Sequence, residues 1–141
     1  MSRQTIKTAL YDALVAAGTA AGSNIDLERA DPWPEGSLPA ITIVPRGEAV
    51  EYTTQVPART RLHQFQLQLV LDARETSTNR CDQVLDALLD EIDAALTDHT
   101  LGGTCRDLHL GDLEYAFTDA GQYVSGSATQ TLTITYTTTE P

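Results

Sequence analysis

The sequence is poor in basic residues. Nine Lys and Arg stand against 20 Asp and Glu in 141 residues, which gives a formal net charge of −11. An acidic surface repels nucleic-acid phosphates over a Debye length of about 8 Å, so we do not expect binding to the backbone or grooves of DNA or RNA. Solubility is the simplest explanation for the excess of carboxylates.

Cysteine and long apolar runs are also scarce. Cys81 and Cys105 are isolated, so neither a CxxC redox motif nor a zinc knuckle is present, and we expect reduced, partly buried thiols in a cytoplasmic product. The longest apolar runs fall far short of the roughly 20 residues that a membrane span needs. Residues 1–5 lack the apolar stretch of a signal peptide. We therefore expect neither membrane association nor export.

Recognisable catalytic motifs are missing as well. The three histidines, His63, His99 and His109, lie far apart in the sequence and form no HExxH motif. The patterns GxSxG, GxxxxGK[ST] and GxGxxG do not occur. We expect no catalytic residue, no cofactor and no bound metal, and we expect that the protein is not an enzyme.

The sequence does contain two segments that alternate between apolar and polar residues. In residues 128–139, Leu132, Ile134 and Tyr136 face one way and threonines face the other. In residues 61–73, Phe and Leu side chains share one face and glutamines occupy the second. A period of two is typical of a strand with one face in a core. The uncharged second face can hydrogen-bond a neighbouring surface without the desolvation cost of a charge.

Two helices and a further strand are predicted from periodicity and from proline. Apolar residues at spacings of three and four predict helices over residues 4–17 and 77–96. A strand is predicted over residues 38–44, with Pro39 at its beginning and Pro45 at its end.

The other segments are less regular. Residues 49–54 are predicted as a short strand within a polar loop, and residues 104–114 as another strand. Residues 25–37 form a long connection in which two prolines fix an extended or turning path. We expect Trp33 to pack this connection against the sheet.

The predicted order is helix, three strands, helix, two strands. This order indicates an α+β fold, a two-layer sandwich in which a mixed, mainly antiparallel sheet of about five strands carries both helices on its apolar face. The length suits one domain, and no internal repeat appears, so we expect a single domain over residues 1–141.

The second helix carries a ridge of carboxylates. Asp82, Asp86 and Asp90 recur every four residues, which places them on one side of the helix. Such a ridge is most simply a solvated helix face, and it is alternatively a surface for the Lys or Arg side chains of a partner.

Three arginines flank the polar loop in this otherwise acidic chain. Arg46, Arg59 and Arg61 are candidates for contact with the acidic ridge of another subunit, and isolated solvation is the competing explanation.

Several segments, taken in order, resemble the tail terminator family of long-tailed phages, to which the lambda tail protein U belongs. The matching features follow a short leading helix: residues 38–41 (LPAI), residues 48–53 (EAVEYT), a long strand over residues 62–71, an acidic helix, residues 119–121 (DAG), Tyr123 and residues 132–136 (LTITY). The likeness spans nearly the whole chain. The chain departs from the family pattern in two ways: it continues past residue 136, and the Gly/Ala-rich segment that follows the first helix is longer.

The resemblance implies a structural virion protein. A ring, expected to be a hexamer, caps the tail tube, ends its polymerisation and forms the joining surface for the head-side connector protein. Its expected location is the head-proximal end of the tail in the virion, and the host cytoplasm during assembly. Glu48, Glu51 and Tyr52 in the second matching segment join the arginines and the acidic ridge as candidate interface residues. DNA is expected to pass through the lumen without specific binding.

Three alternatives remain open from the sequence. A neck or head-completion protein would have a similar size and would also form a ring, but it would contact the connector and not the tube. A soluble α+β ligand-binding or regulatory module, or a small hydrolase, would have no place in a virion.

Overall fold

The computed structural model describes residues 3–27, 29, 31–53, 60–119 and 124–139. Within these residues the elements follow the order helix, three strands, helix, two strands. The helices are α1 (Arg3–Ala16) and α2 (Cys81–Ala95). The strands are β1 (Ile25–Leu27), β2 (Ala40–Thr53), β3 (Thr60–Arg74), β4 (Asp107–Asp119) and β5 (Val124–Thr139). A short 3-10 helix, Glu35–Ser37, precedes β2.

The described strands form one five-stranded sheet in the order β1-β2-β3-β5-β4. β1 runs parallel to β2, and all the other pairs are antiparallel. β3 lies in the centre and pairs with β2 on one side and with β5 on the other. The predicted α+β fold with a mixed, mainly antiparallel sheet is confirmed.

Alternation along the two longest strands places their apolar side chains on one face of the sheet. Leu67 and Leu69 of β3 and Leu132 of β5 are fully buried on that face. They belong to one apolar cluster with Leu10 of α1 and Leu88 of α2. Both helices therefore cover the same face, as predicted, and the burial of apolar surface, at roughly 25 cal/mol per Å², holds the two layers together.

β2 corrects the predicted division into two strands at Pro45. The chain forms one strand, Ala40–Thr53, with a register shift between Pro45 and Gly47. β1 pairs with β2 only as far as Ile43. At Pro45, no described strand pairs with the side of β2 that faces away from β3. The N–H group that proline lacks is therefore not needed for a regular ladder, and the strand continues through a bulge.

The predicted connection before β2 contains the short strand β1, which the sequence pattern does not predict. Three residues are too few to show a period of two. Trp33 does pack this connection against the sheet, as expected, because its Nε1 donates a hydrogen bond to Thr42 Oγ1 at 2.9 Å. The guanidinium carbon of Arg29 lies 4.1 Å from the centroid of the Trp33 ring.

α1 begins and ends within one residue of its predicted bounds, whereas α2 begins at Cys81 and not at residue 77. Thr76 explains the difference, because it closes a turn before the helix. Its Oγ1 accepts the N–H of Asn79 at 3.0 Å, and its own N–H donates to the Asn79 carbonyl at 2.8 Å.

The last two strands are longer than predicted. β4 reaches Asp119 and so includes the beginning of the predicted turn, while the rest of that turn lies outside the described residues. Cys81 and Cys105 are free and buried, in agreement with the expected thiols. Neither of the described helices is long and apolar enough to cross a membrane.

Candidate assembly surfaces

A polar cluster lies where the first turn of α1 meets β2, β3 and β5. The Glu48 carboxylate accepts hydrogen bonds from Arg3 Nε at 3.1 Å and from the Tyr136 hydroxyl at 2.5 Å. His63 Nδ1 lies 3.2 Å from the same carboxylate, and His63 Nε2 lies 2.8 Å from Thr138 Oγ1. The His63 and Tyr136 rings stack with their centroids 4.4 Å apart. We call these five residues the Glu48 cluster.

Burial and hydrogen bonding shift two pKa values in the Glu48 cluster. Burial by itself raises the pKa of Glu48, but the hydrogen bonds from Arg3, Tyr136 and His63 outweigh it and lower that pKa to about 2. Burial and the hydrogen bond to Glu48 raise the pKa of Tyr136 to about 12. Glu48 is therefore ionised at physiological pH and ties α1 to the β2–β3 hairpin.

Beyond Glu48, the hairpin carries exposed side chains. Val50 and Tyr52 lie on the helix-side face of β2 with 42% and 52% of their surface exposed. Tyr52 pairs in register with Arg61 of β3, and Glu51 is exposed on the opposite face. We call residues 48–53 the β2 edge.

Arg46 lies at the bulge in β2, just before the β2 edge. Its side chain is exposed, and its Nε donates to Gln68 Oε1 at 2.5 Å on the face away from the helices. Arg59 lies outside the described residues. The structure thus brings five of the predicted interface residues onto one hairpin: Arg46, Glu48, Glu51, Tyr52 and Arg61.

The predicted acidic ridge of α2 lies beside β4 and not on this hairpin. Asp82 pairs with Arg80 at 3.1 Å, Asp86 accepts the Tyr115 hydroxyl at 2.6 Å, and Asp90 is exposed. The hydrogen bond to Asp86, together with burial and the nearby carboxylates, raises the pKa of Tyr115 to about 12. The ridge is therefore joined to the neighbouring strand β4.

β4 carries four exposed apolar side chains that are not among the residues predicted to form an interface. They share the helix-side face of the sheet, with between 38% and 49% of each exposed: Leu110, Leu113, Tyr115 and Phe117. The rings of Tyr115 and Phe117 stack with centroids 5.9 Å apart. Their alternation, interrupted by a bulge after Leu110, is the sequence signal that would have identified them. We call these four residues the β4 surface.

Gly126 of β5 makes room for the last of these rings. It pairs with Phe117, and a Cβ at this position would lie 2.6 Å from Phe117 Cδ1 and 2.9 Å from the carbonyl oxygen of Ala116. No side chain heavier than hydrogen fits there without displacing the ring. The position of Phe117 on the β4 surface therefore depends on this glycine.

The β2 edge and the β4 surface lie towards opposite edges of the sheet and opposite ends of the strands. Tyr52 is level with Arg61 of β3, whereas Phe117 is level, through β5, with Ala73 of β3. The stretch of β3 between these levels is about 40 Å long at roughly 3.3 Å per residue. Each molecule therefore presents two different exposed surfaces in different directions.

The sheet face away from the helices has uncharged central rows, as predicted. Gln64 and Gln66 of β3 are exposed, and Thr131, Thr133 and Thr135 of β5 are half-buried. Amide and hydroxyl groups in such rows can donate and accept hydrogen bonds to another surface.

The fold brings two of the three histidines to one carboxylate. His109 Nε2 lies 3.0 Å from Asp107 Oδ2, and His99 Nδ1 lies 3.9 Å from Asp107 Oδ1. The imidazoles are solvent-exposed. Across the described parts of the chain, no group of three or more His, Cys, Asp or Glu is placed to hold a metal ion.

Comparisons with known proteins show a structural likeness but no sequence match. No protein-family model and no curated protein sequence matches this chain. Among solved structures, the chain is similar to a chain in the virion of a native gene transfer agent (GTA) particle. The two share 12% sequence identity over 92% of this chain and 94% of that chain, with a TM-score of 0.37.

Proposed function

We propose that the protein is a structural virion protein, a tail terminator that caps the phage tail tube. The resemblance of the sequence to that family supports the proposal. The observation that carries it is the pair of unlike exposed surfaces, the β2 edge and the β4 surface, at opposite edges of the sheet. A ring of identical subunits needs each copy to offer two different patches, one to each neighbour.

In this proposal six copies contact one another head to tail and close into a ring. One end of the ring binds the tail tube protein and prevents further tube subunits from adding. The other end forms the joining surface for the head-tail connector protein. The protein acts by shape alone, at the head-proximal end of the tail, and makes or breaks no covalent bond.

The charge of the chain suits a ring through which a genome passes. A net charge of −11 in each copy repels the phosphates of DNA. The absence of attraction lets the double helix move through the lumen without specific contacts.

Deletion of the gene, followed by electron microscopy of the particles, tests the proposal. Tails of excess or irregular length are the expected result, and the wild-type gene supplied in trans should restore their length. Tails of normal length beside unjoined heads would instead identify a neck or head-completion protein. Normal, joined particles would exclude a role in assembly and favour a soluble ligand-binding or regulatory module.

A further inference from the structure

We infer that a cavity on the sheet face away from the helices receives the basic side chain, Arg or Lys, of another virion protein. The cavity itself does not depend on the proposed function, but the choice of a virion protein as the source of the side chain rests on it. Its volume is about 330 Å³, at the lower end of the range for binding pockets. We call it the Asp72 cavity, after the carboxylate in its lining.

The floor of the Asp72 cavity is hollow because small side chains meet across three strands. Asp72 of β3 pairs in register with Ser127 of β5, and Ser127 pairs with Ala116 of β4. At the next level, Ser125 of β5 pairs with Thr118 of β4. Residues paired in this way share one face of the sheet, so three hydroxyl groups lie beside one carboxylate.

Trp33 forms a wall of the Asp72 cavity. Its ring is fixed on the same face of the sheet by the hydrogen bond to Thr42, which lies between the buried Ile41 and Ile43 and points the other way. Arg29 stacks on the ring but is not among the described residues that line this cavity. An aromatic ring attracts a cation and also packs against the alkyl stem of a long basic side chain.

The Asp72 carboxylate has no partner within the described residues. It is the one charged group among those that line the cavity, and no hydrogen bond or ion pair from a described residue reaches it. Burial alone raises its pKa, and Arg74, two residues further along the same face, does not offset that effect. A half-buried carboxylate without a donor is unfavourable, so a cation that enters the cavity would satisfy it.

The lining favours an organic cation over a metal ion. Ca²⁺ takes about six to eight oxygen ligands, which one carboxylate and three hydroxyls do not supply. The described residues also contain no cluster of His, Cys, Asp or Glu that could hold a metal. A guanidinium or ammonium group instead presents several N–H donors, and the oxygen atoms of Asp72, Ser125, Ser127 and Thr118 can accept them.

The surrounding surface favours a side chain that a protein presents over a free small cation. The glutamine and threonine rows of β3 and β5 extend from the cavity along the same face, and they can hydrogen-bond a docked protein. A free cation would lose its translational freedom in exchange for a contact with one carboxylate. A side chain on a docked surface shares that entropic cost with the rest of the interface.

Trp33 is a direct reporter of the cavity, because it is the one tryptophan of the chain. The whole protein is titrated with N-acetyl-arginine methylamide, which mimics an Arg side chain on a polypeptide, while the Trp33 fluorescence is recorded. We expect a saturable change with a Kd of about 1–10 mM, the strength of a single side-chain contact. The citrulline analogue has nearly the same shape without the charge and should bind at least about tenfold more weakly.

Asp72→Asn keeps the shape of the side chain and removes its charge. We expect it to weaken binding of the arginine compound by about tenfold or more. It should be at least as stable as the wild type in urea unfolding, because the free carboxylate has no partner to lose. Glu114→Gln is the matched control, since Glu114 is exposed on the same face but does not line the cavity, and it should change the Kd by less than about twofold.

Three results would overturn the inferred site: no fluorescence change with the arginine compound, an equal response to the citrulline analogue, and unchanged binding by Asp72→Asn. A parallel titration with spermidine examines the source of the cation. Binding of spermidine at micromolar concentrations that is lost in Asp72→Asn would assign the cavity to a free polyamine and overturn the protein-borne occupant.

The gene deletion separates these results from a failure of the proposed function. Irregular tails together with no response of Trp33 would overturn the site and leave the terminator role in place. Normal, joined particles together with saturable binding would overturn the virion protein as the source of the side chain.

Discussion

At the scale of single residues, side chains from three different elements converge on Glu48. Its carboxylate joins the first turn of α1 to three strands through Arg3, His63 and Tyr136. Only 11% of its side chain is exposed, so the loss of these hydrogen bonds would leave a nearly buried carboxylate without its partners.

Replacement of Glu48 by Gln should therefore lower stability in a pH-dependent way. The pKa of Glu48 falls from 4.5 to about 2 on folding, so its ionised form stabilises the fold above about pH 4.5. That contribution is lost as the pH falls from 4.5 towards 2. We expect Glu48→Gln to cost about 2 kcal/mol at pH 7 and much less near pH 2.5, measured by urea unfolding.

Glu51→Gln is the control for this experiment, because Glu51 is exposed on the same strand. It should change the free energy of unfolding by no more than about 0.5 kcal/mol at either pH. A loss of equal size at pH 7 and pH 2.5 for Glu48→Gln would contradict the role assigned to its charge.

Gly126 leads to a second prediction at this scale. Gly126→Ala places a Cβ against the Phe117 ring and the Ala116 carbonyl, so we expect a loss of about 1–2 kcal/mol in thermal or urea unfolding. Gly111→Ala is the matched control, because its nearest neighbour atom would be at 3.6 Å, an ordinary contact. Equal stability of the two variants would show that the ring at position 117 moves aside without cost.

Sequence patterns locate residues on the surface more readily than they reveal their partners. Tyr52 and Arg46 were identified from the sequence and are exposed. Glu48 was identified with them but is held inside the molecule, because its partners come from positions far away in the chain. Such contacts depend on the fold and leave no local signal.

At the scale of elements, the start of α2 is set by a side chain outside the helix. Thr76 accepts the N–H of Asn79 and closes the preceding turn, so that the helix begins four residues after its apolar spacing suggests. Apolar residues at spacings of three and four identify a helix, but they do not locate the turn that precedes it.

Thr76→Ala should consequently cost about 1 kcal/mol of stability, since the turn loses its acceptor. Thr76→Ser keeps the hydroxyl and should recover most of that loss in the same urea titration. If alanine and serine were equally stable at this position, the hydroxyl would have no part in setting the start of α2.

Among the strands, prediction and structure agree best where the strand is long and half-buried. β3 and β5 are long and half-buried, so their period of two is clear. β1 is too short to show one, and the prediction that Pro45 ends a strand is wrong because a linear pattern does not show which side of a strand is unpaired. The β4 surface is not evident from the sequence because a bulge shifts its period.

At the scale of the whole molecule, the arrangement of layers was predictable and the arrangement of surfaces was not. The order of helices and strands decides which face of the sheet is covered. The directions in which the β2 edge and the β4 surface point depend on the sheet order β1-β2-β3-β5-β4. That order brings together strands that are not adjacent in the sequence.

The charge of the whole molecule gives a prediction for DNA. Proteins that neutralise phosphates bind DNA more tightly as salt is lowered, whereas a chain of net charge −11 should be repelled more strongly. We expect no change in the fluorescence anisotropy of labelled duplex DNA at about 0.15 M or about 0.02 M salt. A basic DNA-binding protein serves as the positive control, and binding that strengthens at low salt would contradict the proposed neutral passage of a genome.

The position of β5 between β3 and β4 has a consequence for biosynthesis. A nascent chain that has emerged only as far as residue 119 has its β4 residues but not the strand that attaches them to the sheet. The residues of β5 must leave the ribosome before β4 has a partner within its own chain. β4 therefore joins the sheet only after β5 has been synthesised, although β4 precedes β5 in the sequence.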